Sequence, residues 1–490
     1  MIKSPLWYYW GNTLYAMHLF EDSKGVPPLA ARSGSILRSR NQMKIIKFIC
    51  PMNIPLNPKI AALTALLLLS GTAAFFHLDG TPGKNSASIA GSFQKQIYGQ
   101  SQNNGQEENT NATSSQSEQP IRSETSTLPQ VQPQKNEGIS QAEENLKNKI
   151  GQMLIIGFRG TKASENSDIA GQLKKLNVGG VVLFDYDNPS KSFPRNITSP
   201  AQTKQLITDL QSFSSTPLFI AVDAEGGLVN RLKAKYGFID IPSAQTLGEQ
   251  DDLAKTKQTA SELGKELKDL GFNIDLAPVV DVNINPQNPI IGKMERSFSD
   301  DPEKVTGQAL SFIGGLRENN IIPVLKHFPG HGSSQNDSHL GLVDVTKTYQ
   351  QKELIPFQKI IEQDQADIVM TAHIMDTSVD PDYPATLSPL FLQNILRNKL
   401  GYQGVIFSDD MQMGAITKNY GFEDALVRSV NAGCDLIGLS NNNDSYDGNI
   451  ASKAIDIIAK AVKDGRISEE KINASYERIL ELKKKFGIIK

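Results

Sequence analysis

The chain is poor in cysteine and histidine, and its charges nearly cancel. Its 490 residues include two cysteines, Cys50 and Cys434, and so small a number excludes a disulfide framework. Cys434 lies in an apolar run, where cysteine behaves as a small hydrophobic residue. The formal net charge of −3 gives no reason to expect a nucleic-acid partner. Of the six histidines, His327, His331 and His339 share one short stretch, which makes that stretch the first candidate for chemistry.

The composition changes along the chain and predicts several segments. Residues 1–58 show no clear periodicity, and we interpret them as an N-terminal extension. We hypothesise that part of this extension is not native, because Met43 begins a lysine-containing stretch that resembles a natural start. Residues 59–78 contain an uncharged apolar run from Ile60 to Phe76, close to the ~17–25 residues of a membrane-spanning helix.

The apolar run is either a cleaved signal peptide or an uncleaved membrane anchor, and we favour the anchor. Lys44, Lys47 and Lys59 precede it, and this charge bias places the following residues outside the cytoplasm. Residues 79–140 are rich in Ser, Gln, Asn, Glu and Thr, so they cannot bury enough apolar surface to offset the entropy of ordering. We therefore expect a disordered linker and an extracytoplasmic protein, membrane-anchored or secreted, in the periplasm or at the cell surface.

From residue 141 to residue 490, short apolar runs alternate with helical patterns. Continuous apolar runs of this length are typical of strands that are buried on both faces of a parallel sheet. The predicted strands are 151–158, 178–184, 217–222, 273–279, 323–326, 367–373, 404–408 and 435–440. Helical stretches such as 252–270 and 305–319 separate most of them. Eight strands alternating with helices predict an α/β fold with a single (β/α)₈ barrel.

Polar residues follow several predicted strands at their carboxyl ends, where the active sites of barrels lie. Asp223 follows the third strand, Lys326 and His327 the fifth, His373 the sixth and Asp409 the seventh. Any one of them alone is more simply explained as a residue that caps backbone groups. Their coincidence favours one common site on one face of the barrel.

Two further loops contribute candidate side chains, and Arg296 lies in one of them, after Asn283. Arg231 follows Gly226-Gly227, and its forked guanidinium can bind hydroxyls or a carboxylate. Together with Asp223, Lys326 and His327, it suits the recognition of a sugar, although the same side chains could bind phosphate or a metal ion.

The sharpest chemical signal is Asp337 two residues before His339. A carboxylate at this distance can orient the imidazole and stabilise its protonated form. With a reference pKa of ~6.5, a histidine can act first as an acid and then as a base near neutrality. Asp409 on another strand end could then attack a sugar carbon, which is the logic of retaining glycosidases.

These residues lie in motifs that resemble the signature of the glycoside hydrolase family 3 β-N-acetylglucosaminidases. The resemblance covers nearly all of the chain from about Lys147, in the family's order. The motifs are Asp223-Ala224-Glu225-Gly226-Gly227 with Arg231, Leu276 to Asn283, Arg296-Ser297-Phe298, Lys326 to Gly332 with Asp337-Ser338-His339, and Ser408-Asp409-Asp410-Met411 with Met413.

The resemblance implies a role for each matching residue. Asp409 would be the nucleophile, His339 the acid/base and Asp337 its partner. The residues implied in sugar binding are Asp223, Arg231, Arg296, Lys326 and His327. The implied enzyme removes terminal β-linked N-acetylhexosamine from peptidoglycan fragments or chitin-type oligosaccharides, through a covalent glycosyl-aspartate. The chain departs from the pattern at residues 333–336, where an acidic residue often follows His-Gly, and before Arg296, where the loop is longer than expected.

We expect a monomer that needs no cofactor and no metal ion, but other interpretations stay open. A metal hydrolase could use His327, His331, Asp337 and His339 as ligands, although Asp409 would then have no role. A phosphorylase would transfer the sugar to phosphate, and a β-glucosidase of the same family would take a different sugar. A binding protein could keep the barrel without the activity.

Overall fold

The computed structural model describes residues 6–10, 13–17 and 140–490. The first two ranges form strands β1 (Leu6–Trp10) and β2 (Thr13–Met17), which pair in the antiparallel sense. We did not predict this pair from the sequence. The signal was available, because two runs rich in aromatic and β-branched residues flank Gly11-Asn12, a dipeptide that favours tight hairpin turns.

The predicted leader at 59–78 lies outside the described residues, and so does the predicted linker at 79–140 apart from Ser140. Both therefore stay predictions. Among the helices that the structure does describe, none is both long enough and apolar enough to span a bilayer.

The strands of the C-terminal part follow one another at the spacing that the sequence predicts. In chain order they are β3 (Leu154–Gly157), β4 (Gly180–Leu183), β5 (Phe219–Val222), β6 (Ala224–Gly226), β7 (Val229–Asn230), β8 (Ile274–Asp275), β9 (Ile322–Phe328), β10 (Val343–Asp344), β11 (Ile368–Thr371), β12 (Ile374–Met375), β13 (Val405–Asp410) and β14 (Leu436–Leu439). Eight of them, β3, β4, β5, β8, β9, β11, β13 and β14, form a closed parallel barrel. The predicted (β/α)₈ fold is confirmed.

Burial explains why these strands form. Every residue of the barrel strands is buried except Asp409 and Asp410, which are half-buried at the end of β13. Their side chains alternate between the barrel interior and the layer of helices, so both faces bury apolar surface. Each fully buried Val, Leu or Ile contributes about 1.5–3 kcal/mol relative to an exposed one. The strands therefore specify a core inside the barrel and a second core around it.

Helices surround the barrel. They are α1 (Gln141–Gln152), α2 (Asp168–Leu176), α3 (Pro200–Phe213), α4 (Ala244–Gln250), α5 (Leu253–Leu270), α6 (Pro302–Arg317), α7 (Ile355–Glu362), α8 (Gly414–Thr417), α9 (Phe422–Ala432), α10 (Ile450–Lys463) and α11 (Glu469–Lys485). A π-helix spans Leu390–Lys399, and short 3₁₀ turns span Ala234–Tyr236, Gln351–Leu354 and Ala385–Leu387.

Local capping sets the ends of these helices. The Ser167 side chain accepts a hydrogen bond from the Ala170 N–H at the start of α2, and Asp252 accepts one from Lys255 at the start of α5. Such caps satisfy N–H groups that have no partner within the helix. Gly271 ends α5 with a φ of 96°, a conformation that glycine adopts without steric cost.

The predicted strand boundaries differ most from the observed ones at two places. Residues 151 and 152 belong to the last turn of α1, where Gly151 packs against the carbonyl oxygen of Leu176. The predicted strand 273–279 shortens to β8, because Pro278 has no N–H to continue the ladder and Val279 makes only an isolated bridge to Lys326. Neither difference moves the carboxyl ends of the strands away from the common face.

Gly157 at the end of β3 offers a test of the packing. A β-carbon at this residue would lie 1.7 Å from the carbonyl oxygen of Ser440, whereas one at Gly171 in α2 would meet nothing within 4 Å. We expect Gly157→Ala to lower the free energy of unfolding by at least about 3 kcal/mol, because backbone must shift. Gly171→Ala should raise it by about 0.5–1 kcal/mol, since alanine favours helix. Chemical denaturation of both variants measures this, and equal stabilities would contradict the close approach.

Candidate active site

All eight residues predicted for the site line one cavity of about 450 Å³ at the carboxyl ends of the barrel strands. They are Asp223, Arg231, Arg296, Lys326, His327, Asp337, His339 and Asp409. The elements that carry them lie far apart in the sequence, and closure of the barrel brings them together. His373, which also follows a strand, is fully buried and is not among the residues that line the cavity.

Lys326 in β9 lies at the centre of the charged wall. Its Nζ is 2.9 Å from Asp223 Oδ1 and 2.6 Å from Glu225 Oε1. Burial favours the neutral amine, but these two carboxylates outweigh it and raise the pKa of Lys326. In the same way, burial raises the pKa of Asp223, but the charges of Lys326 and Arg231 hold it well below its usual range. Lys326 and Asp223 are therefore both ionised at neutral pH.

Glu225 connects Lys326 to Arg296 on the next loop. Arg296 donates from Nε and Nη2 to the two oxygens of Glu225, at 2.7 and 2.8 Å, and from Nη1 to the carbonyl oxygen of Ile290 at 2.9 Å. This forked contact fixes the guanidinium plane. Arg231 makes a longer contact of 3.3 Å with Asp223, and its side chain is one-third exposed. Arg231 therefore keeps more freedom than Arg296 to turn toward a ligand.

His327 is held by a buried carboxylate that our sequence analysis quoted without a role. Its Nδ1 is 2.7 Å from Asp281 Oδ2, and its Nε2 is 3.3 Å from Arg296 Nη2. Arginine can only donate, so Nε2 accepts and the proton of a neutral ring lies on Nδ1, facing Asp281. Both ring nitrogens of His327 therefore have protein partners in this arrangement, and its role in sugar binding stays a prediction.

Asp281 also organises the backbone of the loop. Its Oδ1 accepts hydrogen bonds from the N–H of His327 at 3.1 Å and from the N–H of His331 at 2.8 Å. The residue is fully buried, yet His327 and these N–H donors outweigh burial and lower its pKa. The Asp281 carboxylate thus fixes the backbone of this loop at two points, at His327 where the loop starts and at His331 where it turns.

Asp409 and Asp410 end β13 on opposite sides of the chain. Asp409 Oδ1 accepts a 2.7 Å hydrogen bond from the Asp410 N–H, and its carboxylate lines the cavity. Burial raises its pKa, but neighbouring imidazoles, led by His373 and His327, together with the Asp410 N–H outweigh burial and lower it. An ionised carboxylate at the cavity wall can act as a nucleophile.

Asp410 is a positioning residue that our sequence analysis did not assign. Its carboxylate accepts hydrogen bonds from the Ser440 hydroxyl, from the Ser440 N–H at 3.0 Å and from Asn443 Nδ2 at 2.6 Å. His373 Nε2 lies 2.9 Å from the Asp410 carbonyl oxygen. These contacts tie the end of β13 to β14 and β11, and they explain the acidic pair Asp409-Asp410 without a second catalytic carboxylate.

Asp337 and His339 lie on a loop at the mouth. His339 Nδ1 is 2.8 Å from Asp337 Oδ1, and the side chains are 52% and 24% exposed. The loop rests on the start of α8, since the N–H of Gly414 donates to the His339 carbonyl oxygen at 3.0 Å. From inside, His331 Nε2 lies 3.1 Å from the Ser338 hydroxyl. The imidazole is thus oriented but remains open to the cavity.

The histidines of this stretch have separate partners. Among residues 140–490 and the two short N-terminal strands, no group of three or more His, Cys, Asp or Glu side chains is arranged to hold a metal ion.

A closed barrel with a carboxylate wall, buried cations and an oriented imidazole at its mouth is the architecture of a sugar hydrolase. The family profile described as "Glycosyl hydrolase family 3 N terminal domain" matches residues 145–482. The chain belongs to glycosyl hydrolase family 3.

Similar proteins agree with this family. "Beta-hexosaminidase A" of Pseudoalteromonas piscicida is 33% identical over an alignment of 378 residues, and the match covers 69% of this chain and 60% of the relative. "Beta-hexosaminidase" of Nitrosomonas eutropha is 36% identical over an alignment of 304 residues, and the match covers 60% of this chain and 82% of the relative. A glycoside hydrolase family 3 beta-N-acetylglucosaminidase from Paenibacillus superposes with a TM-score of 0.64 at 36% identity, covering 70% of this chain and 63% of that one. The chain thus spans less than two-thirds of the first and third of these proteins.

Asp281 offers a test of the site's architecture. Asp281→Asn replaces the carboxylate with an amide. The carboxylate now accepts from two backbone N–H groups and contacts the His327 ring, whereas the amide offers one acceptor oxygen and one donor group. We expect the free energy of unfolding to fall by about 2–4 kcal/mol, since buried donors lose a charged acceptor. Urea denaturation measures the change. Asp240→Asn, on an exposed residue, is the control; a loss of the same size in both variants would contradict a special role for Asp281.

Proposed function

We propose that this protein is a retaining exo-β-N-acetylglucosaminidase. It hydrolyses terminal β-linked N-acetylhexosamine from peptidoglycan fragments or chitin-type oligosaccharides. The observation that carries the proposal is that Asp409 and the Asp337–His339 pair line the same cavity as the charged wall around Lys326. Membership of family 3 and the names of the similar proteins support this bond type and this sugar.

In the first step, Asp409 attacks the anomeric carbon. A new C–O bond forms between the carboxylate and the sugar while the glycosidic bond breaks, and the leaving oxygen takes the proton of the His339 imidazolium. In the second step, the now neutral His339 removes a proton from water, and the resulting nucleophile attacks the same carbon. The Asp409 ester bond breaks, the carboxylate is restored, and two inversions leave the β configuration unchanged.

The environment of His339 supports its part in this mechanism. Desolvation lowers the pKa of the imidazole, but the hydrogen bond and the charge of Asp337 outweigh it, so the pKa of His339 lies above its usual value. A larger share of the enzyme therefore carries the proton that the leaving group needs near neutral pH.

The charged wall supports sugar recognition at the end of the ring away from the reacting carbon. Lys326, Asp223 and Arg231 present a donor, an acceptor and a forked donor to one region of the cavity. The partners of these charged side chains already hold them in place, so the side chains lose little conformational freedom when sugar hydroxyls replace or share those contacts. Their fixed positions align the anomeric carbon with Asp409.

We also propose that the enzyme acts outside the cytoplasm, either anchored or secreted. The apolar run within residues 59–78 and the lysines before it support this location.

A panel of 4-nitrophenyl glycosides tests the proposed activity. We expect turnover of the β-GlcNAc glycoside at least about tenfold above the β-glucoside, because one missing polar group in a site that binds it costs that much or more. Asp409→Asn should reduce turnover by at least about 10³-fold without changing the unfolding transition, since the ester can no longer form.

Other products would contradict the proposal. Preference for the glucoside would indicate a β-glucosidase, and release of sugar 1-phosphate on addition of phosphate would indicate a phosphorylase. Full activity of Asp409→Asn would exclude this residue as the nucleophile.

The Asp337–His339 pair predicts a shift in pH dependence. The proton on His339 is needed for leaving-group departure, so kcat/KM falls as pH rises through the pKa of His339. Asp337 raises that pKa, and Asp337→Asn removes the negative charge while keeping the side chain's size. We expect the alkaline limb of the profile to move about one pH unit toward acid. An unmoved alkaline limb would contradict the role of the pair, even if overall activity fell.

A further inference from the structure

A buried carboxylate lies against the loop that carries the histidines, although its residue, Glu353, is not among those that line the cavity. We infer that Glu353 is a positioning residue for the acid/base His339. It acts through the contact between the His331 ring and the Ser338 hydroxyl. The inference rests on the proposed function, because it concerns the proton transfer assigned to His339.

Glu353 contacts the backbone of the loop on both sides of His331. Its Oε2 accepts a 3.1 Å hydrogen bond from the Ser333 N–H. A β-carbon at Gly330 would lie 2.7 Å from that of Glu353, so the backbone of the loop rests on this side chain. The other oxygen, Oε1, accepts a hydrogen bond from the Gln350 N–H at 3.2 Å, in the turn before α7. The carboxylate thus joins the start of α7 to the loop.

The His331 side chain connects this backbone to the acid/base. Its ring is buried, and Nε2 lies 3.1 Å from the hydroxyl of Ser338, the residue before His339. The backbone of His331 also donates to Asp281 Oδ1 at 2.8 Å and accepts from Asn288 Nδ2 at 2.7 Å. Because the position of a ring follows from the backbone that bears it, a shift of this backbone moves the contact with Ser338 and changes the orientation of the neighbouring imidazole.

The Glu353 carboxylate has no counter-ion. It is fully buried, and in the described part of the chain no side-chain nitrogen of Lys, Arg or His lies within 4.0 Å of it. The titratable groups that face it are Asp281, on the loop after β8, and Tyr349. Lys352, on the same turn, lies with its Nζ 3.3 Å from the carbonyl oxygen of Asp300 instead. Burial raises the pKa of Glu353 to about 7, and the charge of Asp281 adds to this effect, although the N–H donors oppose it.

The charge of Glu353 supports the loop at a cost in stability. Only the ionised form can accept an N–H at each oxygen, because a protonated acid or an amide places a donor group on one side. An unpaired buried charge destabilises a fold. Since the pKa of Glu353 in the folded chain lies above its ordinary value of 4.5, the folded state binds more protons between these values, and stability falls as pH rises from about 4.5 to about 7.

Two substrates with the same terminal sugar test the inference in Glu353→Gln. In 4-nitrophenyl β-GlcNAc the leaving group needs little protonation, whereas the leaving sugar of N,N′-diacetylchitobiose depends on it. We expect kcat/KM to fall about 5- to 10-fold on the disaccharide and less than about twofold on the aryl glycoside, because only the disaccharide needs a well-placed acid. Glu362→Gln, at an exposed residue at the end of α7, is the matched control and should change neither value.

A double-mutant cycle tests the route through Ser338. Ser338→Ala removes the hydroxyl that the His331 ring contacts, and it should show the same selective loss on the disaccharide. If Glu353 acts through this contact, the double variant loses no more than the larger single loss. Losses that multiply, to about 25- to 100-fold, would show an independent route and would overturn the inference.

Urea denaturation at pH 5 and pH 8 checks the buried charge. We expect the midpoint of Glu353→Gln, relative to that of the wild type, to rise with pH, because only the wild type loses the stability of its protonated form. A difference that does not depend on pH would contradict the buried charge on which the inference depends. If Glu353→Gln does not fold, Glu353→Asp takes its place, since it keeps the charge but shortens the reach to the Ser333 N–H, and it should show the same selective loss.

The kinetic outcomes separate the two proposals. Equal losses on both substrates would make Glu353 a structural residue and would overturn the inference, as would unchanged kinetics on both. A wild type that hydrolyses neither substrate would instead remove the proposed function on which the inference rests.

Discussion

The site depends on the balance of charge around one buried ammonium group. Lys326 is nearly inaccessible to solvent, and its Nζ contacts carboxylates of β6 and of the residue between β5 and β6. An isolated buried charge costs several kcal/mol, whereas a paired and hydrogen-bonded one is tolerated. The lysine therefore holds three parts of the barrel mouth in one arrangement, and Arg296 extends it to the loop after β8 through Glu225.

A second layer of carboxylates, the buried Asp281 and the half-buried Asp410, holds the first layer in place. Asp281 orients the His327 ring and the turn at His331, and Asp410 holds the end of β13 against β14. Each accepts several hydrogen bonds from groups that would otherwise be unsatisfied. The side chains that line the cavity are thereby held in position before a ligand binds, so binding requires little further ordering of the site.

The acid/base candidate stands apart from this rigid frame. Whereas Lys326 and Asp281 are buried, the His339 side chain is half-exposed, on a loop that contacts the barrel through Ser338 and the start of α8. A group that exchanges protons with a leaving oxygen and then with water needs access to solvent. The rigid charges inside the cavity are thus suited to binding, and the accessible imidazole at its mouth is suited to proton transfer.

Much of the fold could be predicted from the sequence, because strands buried on both faces appear as apolar runs. The number of these runs gives the number of strands in the barrel. The predicted helix at 252–270 nearly coincides with α5, since Asp252 caps it and Gly271 ends it. The start of the first predicted strand could not be predicted, because the last helical turn runs directly into the apolar run. Pro278 was a local mark against the end of the fourth predicted strand, and we did not use it.

Residue types at strand ends were likewise enough to select the site, but not to assign its contacts. Lys326 and Asp223 lie 103 residues apart, and Arg296 and Glu225 lie 71 apart. The sequence by itself determined a barrel of eight strands with polar residues at one end, because those features follow from local periodicity. Only the tertiary structure decided which charges pair and which nitrogen of His327 carries the proton, because ring closure alone brings distant loops within hydrogen-bonding distance.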